Sequence, residues 1–140
     1  MTWPSAYQRA SVDFERFMVA ARDAAGLQTT NMAWNMVDGV LLAFRRRLTV
    51  EQALRFADCL PPVLRAMFLE DWHPELTPQA FGSRQEILGE VISLRKEHNF
   101  SPPDAIEAVA TALHACVPAE ALEHALSKLP TAARSFWAVP

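Results

Sequence analysis

Apolar residues recur along this chain at spacings of three and four, the period of one helical face. Phe14, Phe17, Met18 and Ala21 share a face of a segment from about Ser11 to Ala25. Gly26 is a natural stop for it, because glycine accepts the left-handed conformation that ends helices. Met32, Met36, Val37, Val40, Leu41 and Phe44 form the stripe of a second helix, from Thr30 or Asn31 to Arg47. Thr49 followed by Gln52 reads as a capping box opening a third helix, with Ala53, Leu54, Ala57 and Leu60 inward. Pro61 breaks the helical hydrogen bonding and opens a short fourth helix with Leu64, Met67 and Phe68 inward. Ser83 with Glu86 repeats the capping pattern, and a fifth helix carries Ile87, Leu88, Val91, Ile92 and Leu94 to about His98. Ser101-Pro102-Pro103-Asp104 combines a cap, first-turn prolines and an acid at the positive dipole end, so a sixth helix follows with Ile106, Val109, Ala110 and Leu113. Pro118 and Glu120 open a seventh, with Leu122 and Leu126 inward. Pro130 opens an eighth, ending in Phe136 and Trp137.

The expected fold is therefore all-α, about eight helices. Leu60-Pro61 followed by Arg65 and Phe68 returns 69 positions later as Leu129-Pro130 followed by Arg134 and Trp137, and Glu51 returns as Glu120. Each half runs long, long, short, short. This predicts two pseudo-equivalent helical repeats packed around a shared core, within a single domain spanning 1–140. The expected parts are an N-terminal arm over 1–10 held by Trp3 and Tyr7, repeat one over 11–69, a connector over 70–82 and repeat two over 83–140. Pro74 and Pro78 stiffen the connector and Gly82 lets it turn.

Composition narrows the function classes. The net charge is −3 and both halves are slightly acidic, which argues against nucleic acid as partner. Cys59 and Cys116 are too few for a disulfide scaffold and read as small buried residues in a reducing compartment. Met1 to Ala10 lacks a secretory pattern, and apolar runs such as Val40 to Phe44 fall far short of a membrane span, so a cytoplasmic protein is expected.

Candidate chemistry is sparse. The paired Arg65 and Arg134, with Glu51 and Glu120, suit either an anion site on each unit or a strut binding helix-end carbonyls or the glutamate. Arg45-Arg46-Arg47 complements the negative end of the second helix, or meets an acidic partner or a phosphate-bearing ligand. His114, Cys116, Glu120 and His124 are metal-ligand types, but their spacing matches no familiar zinc pattern; neither a metal nor a cofactor is expected. No nucleophile has an identifiable activator, so catalytic residues are not assigned. Glu70-Asp71-Trp72-His73-Pro74 sets an indole, an imidazole and two acids between the halves, where pockets form or where a tryptophan plugs a seam. Trp34 stands off the inner stripe, facing the other repeat or a partner.

Several stretches carry a resemblance: Phe14-Glu15-Arg16-Phe17, then Phe44-Arg45-Arg46-Arg47-Leu48-Thr49, then Leu60-Pro61-Pro62-Val63-Leu64-Arg65-Ala66-Met67-Phe68, and Trp72 with Pro74. Together they resemble the bacterial domain-of-unknown-function family 2267 over nearly the whole chain. The resemblance implies a small, duplicated, helical domain and brings no reaction, cofactor or catalytic residue. Many members carry Gly before the tryptophan; Asp71 here argues against a tight turn at that point. The leading expectation is a non-catalytic interaction or scaffold module, self-associating or docking a protein helix. The alternative is a small-ligand binder or enzyme using Arg65, Trp72 and His73.

Overall fold

A computed structural model describes residues 3–139. Among them lie nine α-helices and one 3₁₀ turn, without a strand. The helices are α1 (Ser5–Gln8), α2 (Ala10–Ala25), α3 (Thr30–Arg45), α4 (Val50–Ala57), α5 (Pro62–Leu69), α6 (Arg84–Ser93), α7 (Ala105–Cys116), α8 (Ala119–Ser127) and α9 (Thr131–Phe136); the 3₁₀ turn is Lys96–His98.

Most boundaries follow from local chemistry. Gly26 ends α2 at φ 70, in the left-handed region. Thr29 caps α3 by accepting from the Met32 amide. Thr49 accepts from the Gln52 amide while the Gln52 side chain accepts from the Thr49 amide, so both halves of the expected capping box are present on α4. Prolines open α5 and precede α8 and α9. Ser83 caps α6 through the Glu86 amide.

Three expectations need correction. The arm is not irregular throughout: Ser5–Gln8 is a turn of helix, with Trp3 and Tyr7 exposed, while residues 1–2 lie outside the described residues. The fifth expected helix ends at Ser93 rather than near His98. Leu94 is extended and Arg95 turns left-handed at φ 48, and the Asn99 side chain donates to the carbonyls of Val91 and Leu94 at 2.8 and 2.7 Å. Those carbonyls would otherwise be orphaned at the helix end, so a residue well past the boundary sets it. Ser101 does not cap α7 but bonds back to the Asn99 side chain, and Asp104 takes the cap position.

The interior is one cluster drawing on α2 to α9. Phe44 on α3 is its hub: its ring centroid lies 4.8 Å from Phe56 on α4, 5.0 Å from Phe136 on α9 and 5.1 Å from Trp137. Such pairs add about 0.5–1.5 kcal/mol each beyond simple burial. Phe56, absent from the expected inner stripe of α4, is fully buried, whereas the expected Leu54 is 49% exposed. Ile92 on α6 likewise faces outward. Trp34 lies edge-on to Phe14, centroids 6.1 Å apart, so its ring rests on α2 while part of it remains exposed.

The long helices pack crosswise: α2 lies chiefly against α7 and α3 against α6. Gly39 makes the second contact possible. A Cβ there would sit 2.9 Å from the Val91 carbonyl oxygen. Among the described residues no helix is long and apolar enough to cross a membrane.

Candidate functional site

The end of α3 is where this chain does something unusual. Three consecutive arginines meet the connector, and each holds a different part of it. Arg45, only 8% exposed, turns under α5 and donates through Nη1 to the carbonyls of Phe68 and Glu70, both at 2.8 Å. Phe68 lies in the last turn of α5 and Glu70 just past its end, where carbonyls have no further helical amide to accept from. The backbone carbonyl of Arg46 accepts from the Gln79 amide at 2.9 Å. Arg47 donates to the Phe81 carbonyl at 3.1 Å and to Ala43 in its own helix at 2.8 Å, and grips both carboxylate oxygens of Glu90 on α6 at 2.8 and 3.1 Å. That fork-to-fork pairing holds the Glu90 carboxyl below its ordinary range, against the opposing pull of burial. Residues 70–82 are thereby tied at their start, near their end and at their end.

Between these ties the connector arches over a cleft of about 560 Å³. Asp71 turns the chain at φ 51, so the tight turn that glycine would favour is made here by aspartate, correcting the expectation from sequence. Aspartate tolerates this region better than most residues because its short side chain can bond locally. The turn brings Trp72 over the Arg45 guanidinium, 5.7 Å from ring centroid to Cζ. Leu42, Leu48 and Met67 give the cleft lining an apolar part, and Asp38, Glu70 and Asp71 border it with acids. Burial pushes the Asp38 carboxyl above its ordinary range, Glu70 adds to this, and Arg45 opposes it. Burial pulls Arg45 down, Arg46 adds to this, and Asp38 and Asp71 oppose it.

Of the residues singled out from sequence, Trp72 and His73 border this cleft and Arg65 does not. Arg65 donates from Nε to Ala57 at 3.2 Å and from Nη2 to Leu60 at 3.1 Å, tying the end of α4 to α5, with Tyr7 3.4 Å from its Nη1. Glu51 does not meet it; Glu51 pairs with Arg55 on its own helix at 2.9 Å. Arg134 is exposed, and among the described residues its side chain donates to Thr131 at 3.1 Å, so the two matching arginines are used differently. Glu120 is exposed on α8. Pro61 and Pro130 precede α5 and α9, and Leu60, Leu129, Phe68 and Trp137 are buried beside them. His73 is exposed, 3.6 Å from Glu75. His114 Nε2 meets the Trp137 carbonyl at 2.8 Å. Cys59 and Cys116 are partly buried rather than enclosed, and burial pushes the Cys59 thiol up to about 11, which keeps it protonated near neutrality.

Sequence reasoning missed Arg45 and Asp38 as cleft residues. The arginine run was visible, but a charge at the end of its own helix and a strut under another helix look alike until α5 is placed.

These features belong to a small all-helical domain with a cleft at its inter-helix connector. The chain belongs to the uncharacterized conserved protein family DUF2267, whose pattern it matches over residues 14–136. No curated protein shows a significant match to it.

Proposed function

We propose that this protein is a non-catalytic binding module whose ligand sits in the cleft beneath the connector. The observation that carries this reading is the cleft: it is concave, of ordinary ligand-pocket size, and lined by apolar side chains together with charged ones. The use of Arg45 as a fixed strut and the unreactive Cys59 thiol support binding rather than turnover. The excess of acids over arginines around the cleft weighs against a polyanion such as nucleic acid as the ligand. Unpaired thiols fit a reducing, cytoplasmic setting. A fragment screen by amide NMR tests the proposal: hits should shift resonances of Asp38, Arg45, Trp72 and their neighbours together. A screen whose hits all fall elsewhere would refute it.

A protein segment as occupant is the second reading. Leu76 at the cleft edge is 68% exposed, and Val50 and Leu54 lie one helical turn apart on the exposed side of α4, so an apolar strip leads outward from the cleft. Under this reading Leu76→Asp would abolish partner or self-association without lowering stability. An unchanged solution mass and partner affinity would remove it.

We further infer that 11–69 and 83–140 are related units. The sequence offset that aligns the two Leu-Pro steps also aligns the starts of α4 with α8 and of α5 with α9. Exchanging α2 with α6 and α3 with α7 turns the α2–α7 contact into the α3–α6 contact, as a pseudo-twofold relation requires.

A further inference from the structure

Arg45 is a buried cation without a counterion in contact. Among the described residues it takes part in none of the ion pairs within 4.0 Å. Both of its hydrogen bonds leave from Nη1, so Nε and Nη2 have no protein partner among those residues. Nor are these two nitrogens sealed off: the fully enclosed, unpartnered side-chain atoms are Asn35 Oδ1 and Trp137 Nε1. Arg45 borders the cleft, and its Nε–Nη2 edge, the fork that accepts a carboxylate with two parallel bonds, is the part of the guanidinium left to meet a ligand there.

A simple anion does not fit the surroundings. Asp38, Glu70 and Asp71 border the same cleft against Arg45 and Arg46, so its acids outnumber its arginines. A simple cation would meet the two arginines. The carboxyls stand beyond ion-pair distance of Arg45, yet Asp38 and Asp71 are near enough to act on its charge. A molecule carrying both signs spans that gap and satisfies both sides. Trp72, Leu42, Leu48 and Met67 then ask for an apolar body.

Building on the ligand-binding reading above, we propose that the cleft receives a small zwitterion with an apolar body, of the α-amino acid class. Its carboxylate takes the Nε–Nη2 edge of Arg45 and its ammonium group lies among Asp38, Glu70 and Asp71. At ~560 Å³ the space exceeds one such molecule and leaves room for ordered water or a second residue of a dipeptide.

The test is a set of amide NMR titrations on the full chain with three probes at millimolar concentration: L-leucine, leucinamide, which lacks the carboxylate, and N-acetylleucine, which lacks the cation. Leucine should shift the resonances of Asp38, Arg45 and the Trp72 indole, and each of the other two should bind at least tenfold more weakly. Asp38→Asn should weaken leucine at least fivefold and leave N-acetylleucine unchanged or tighter. Arg45→Lys should abolish the preference for leucine over leucinamide. Because Arg45 also holds α5, that variant counts only if its amide spectrum keeps the native dispersion, and Asp38→Asn decides otherwise. Leucinamide binding as tightly as leucine would overturn the carboxylate seat while leaving the cleft a ligand site. No shift with any probe overturns the zwitterion even where the fragment screen gives cleft hits; only a screen blank at the cleft would also take the wider reading with it.

Discussion

The same substitution on the two helices of one interface should change stability in opposite directions. Gly39 on α3 faces α6 so closely that an added methyl would lie 2.9 Å from the Val91 carbonyl oxygen and 3.2 Å from both its Cα and its Cγ1. Two of these three atoms are backbone, which cannot rotate aside, so the helices must separate or the backbone deform. Overpacking of this kind costs about 1–3 kcal/mol. Replacing glycine within a helix returns about 1 kcal/mol, which leaves a net loss of up to about 2 kcal/mol. Gly89 on α6 meets nothing within 4 Å, so there the same methyl keeps the helical gain without the clash. For a domain of this size 1 kcal/mol moves Tm by about 3–4 °C. Gly39→Ala should therefore lower Tm by up to about 8 °C, and Gly89→Ala should raise it by about 3–4 °C. Paired thermal melts followed by far-UV circular dichroism would measure both. Equal increases would refute the close α3–α6 approach, and with it the crosswise arrangement of the long helices.

Three further outcomes follow from the cleft and its ties. Glu90→Gln leaves the buried Arg47 without its carboxylate and should cost about 1–3 kcal/mol in urea unfolding. Because the Glu90 carboxyl is depressed in the folded state, its contribution is present above its ordinary value near 4.5 and fades as pH falls through its lower folded value, a slope the variant should lack. Asp38 has the opposite sign: its folded pKa is raised, so its ionisation disfavours folding as pH rises above about 3.8. Asp38→Asn should thus be more stable than the parent at neutral pH, with the difference vanishing in acid; a difference independent of pH would contradict the burial of this carboxyl. At the left-handed turn before Trp72, Asp71→Gly should stay within about 0.5 kcal/mol of the parent while Asp71→Val loses roughly 1–2 kcal/mol, and equal melts for the two would show the turn is not formed in solution.

What could be read from sequence was what local chemistry decides. Thr49 with Gln52, Gly26 and the prolines before α5, α8 and α9 act on their own backbone within a few residues, and the structure places helix ends where they point. What escaped was decided by residues distant in sequence or by the third dimension. Asn99 stops α6 from beyond its end. Leu54 and Phe56 are both large and apolar, and only the placement of Phe44, Phe68 and Trp137 around α4 decides which turns inward. The candidate site was half legible. Trp72 and His73 were marked by the odd composition of the connector, whereas Arg65 was marked by a repeated phrase and serves as a tie between short helices. Arg45 was hidden in a run of three like residues whose members have three separate tasks.

Crosswise pairing of α2 with α7 and of α3 with α6 means that each half completes its core only against the other. Severed at the exposed Leu76, either fragment would present to water the whole face that its counterpart normally shields. A nascent chain faces the same situation: until α7 has left the ribosome, α2 can lean on α3 and α5 but lacks its main partner, so its outer face stays wet until then.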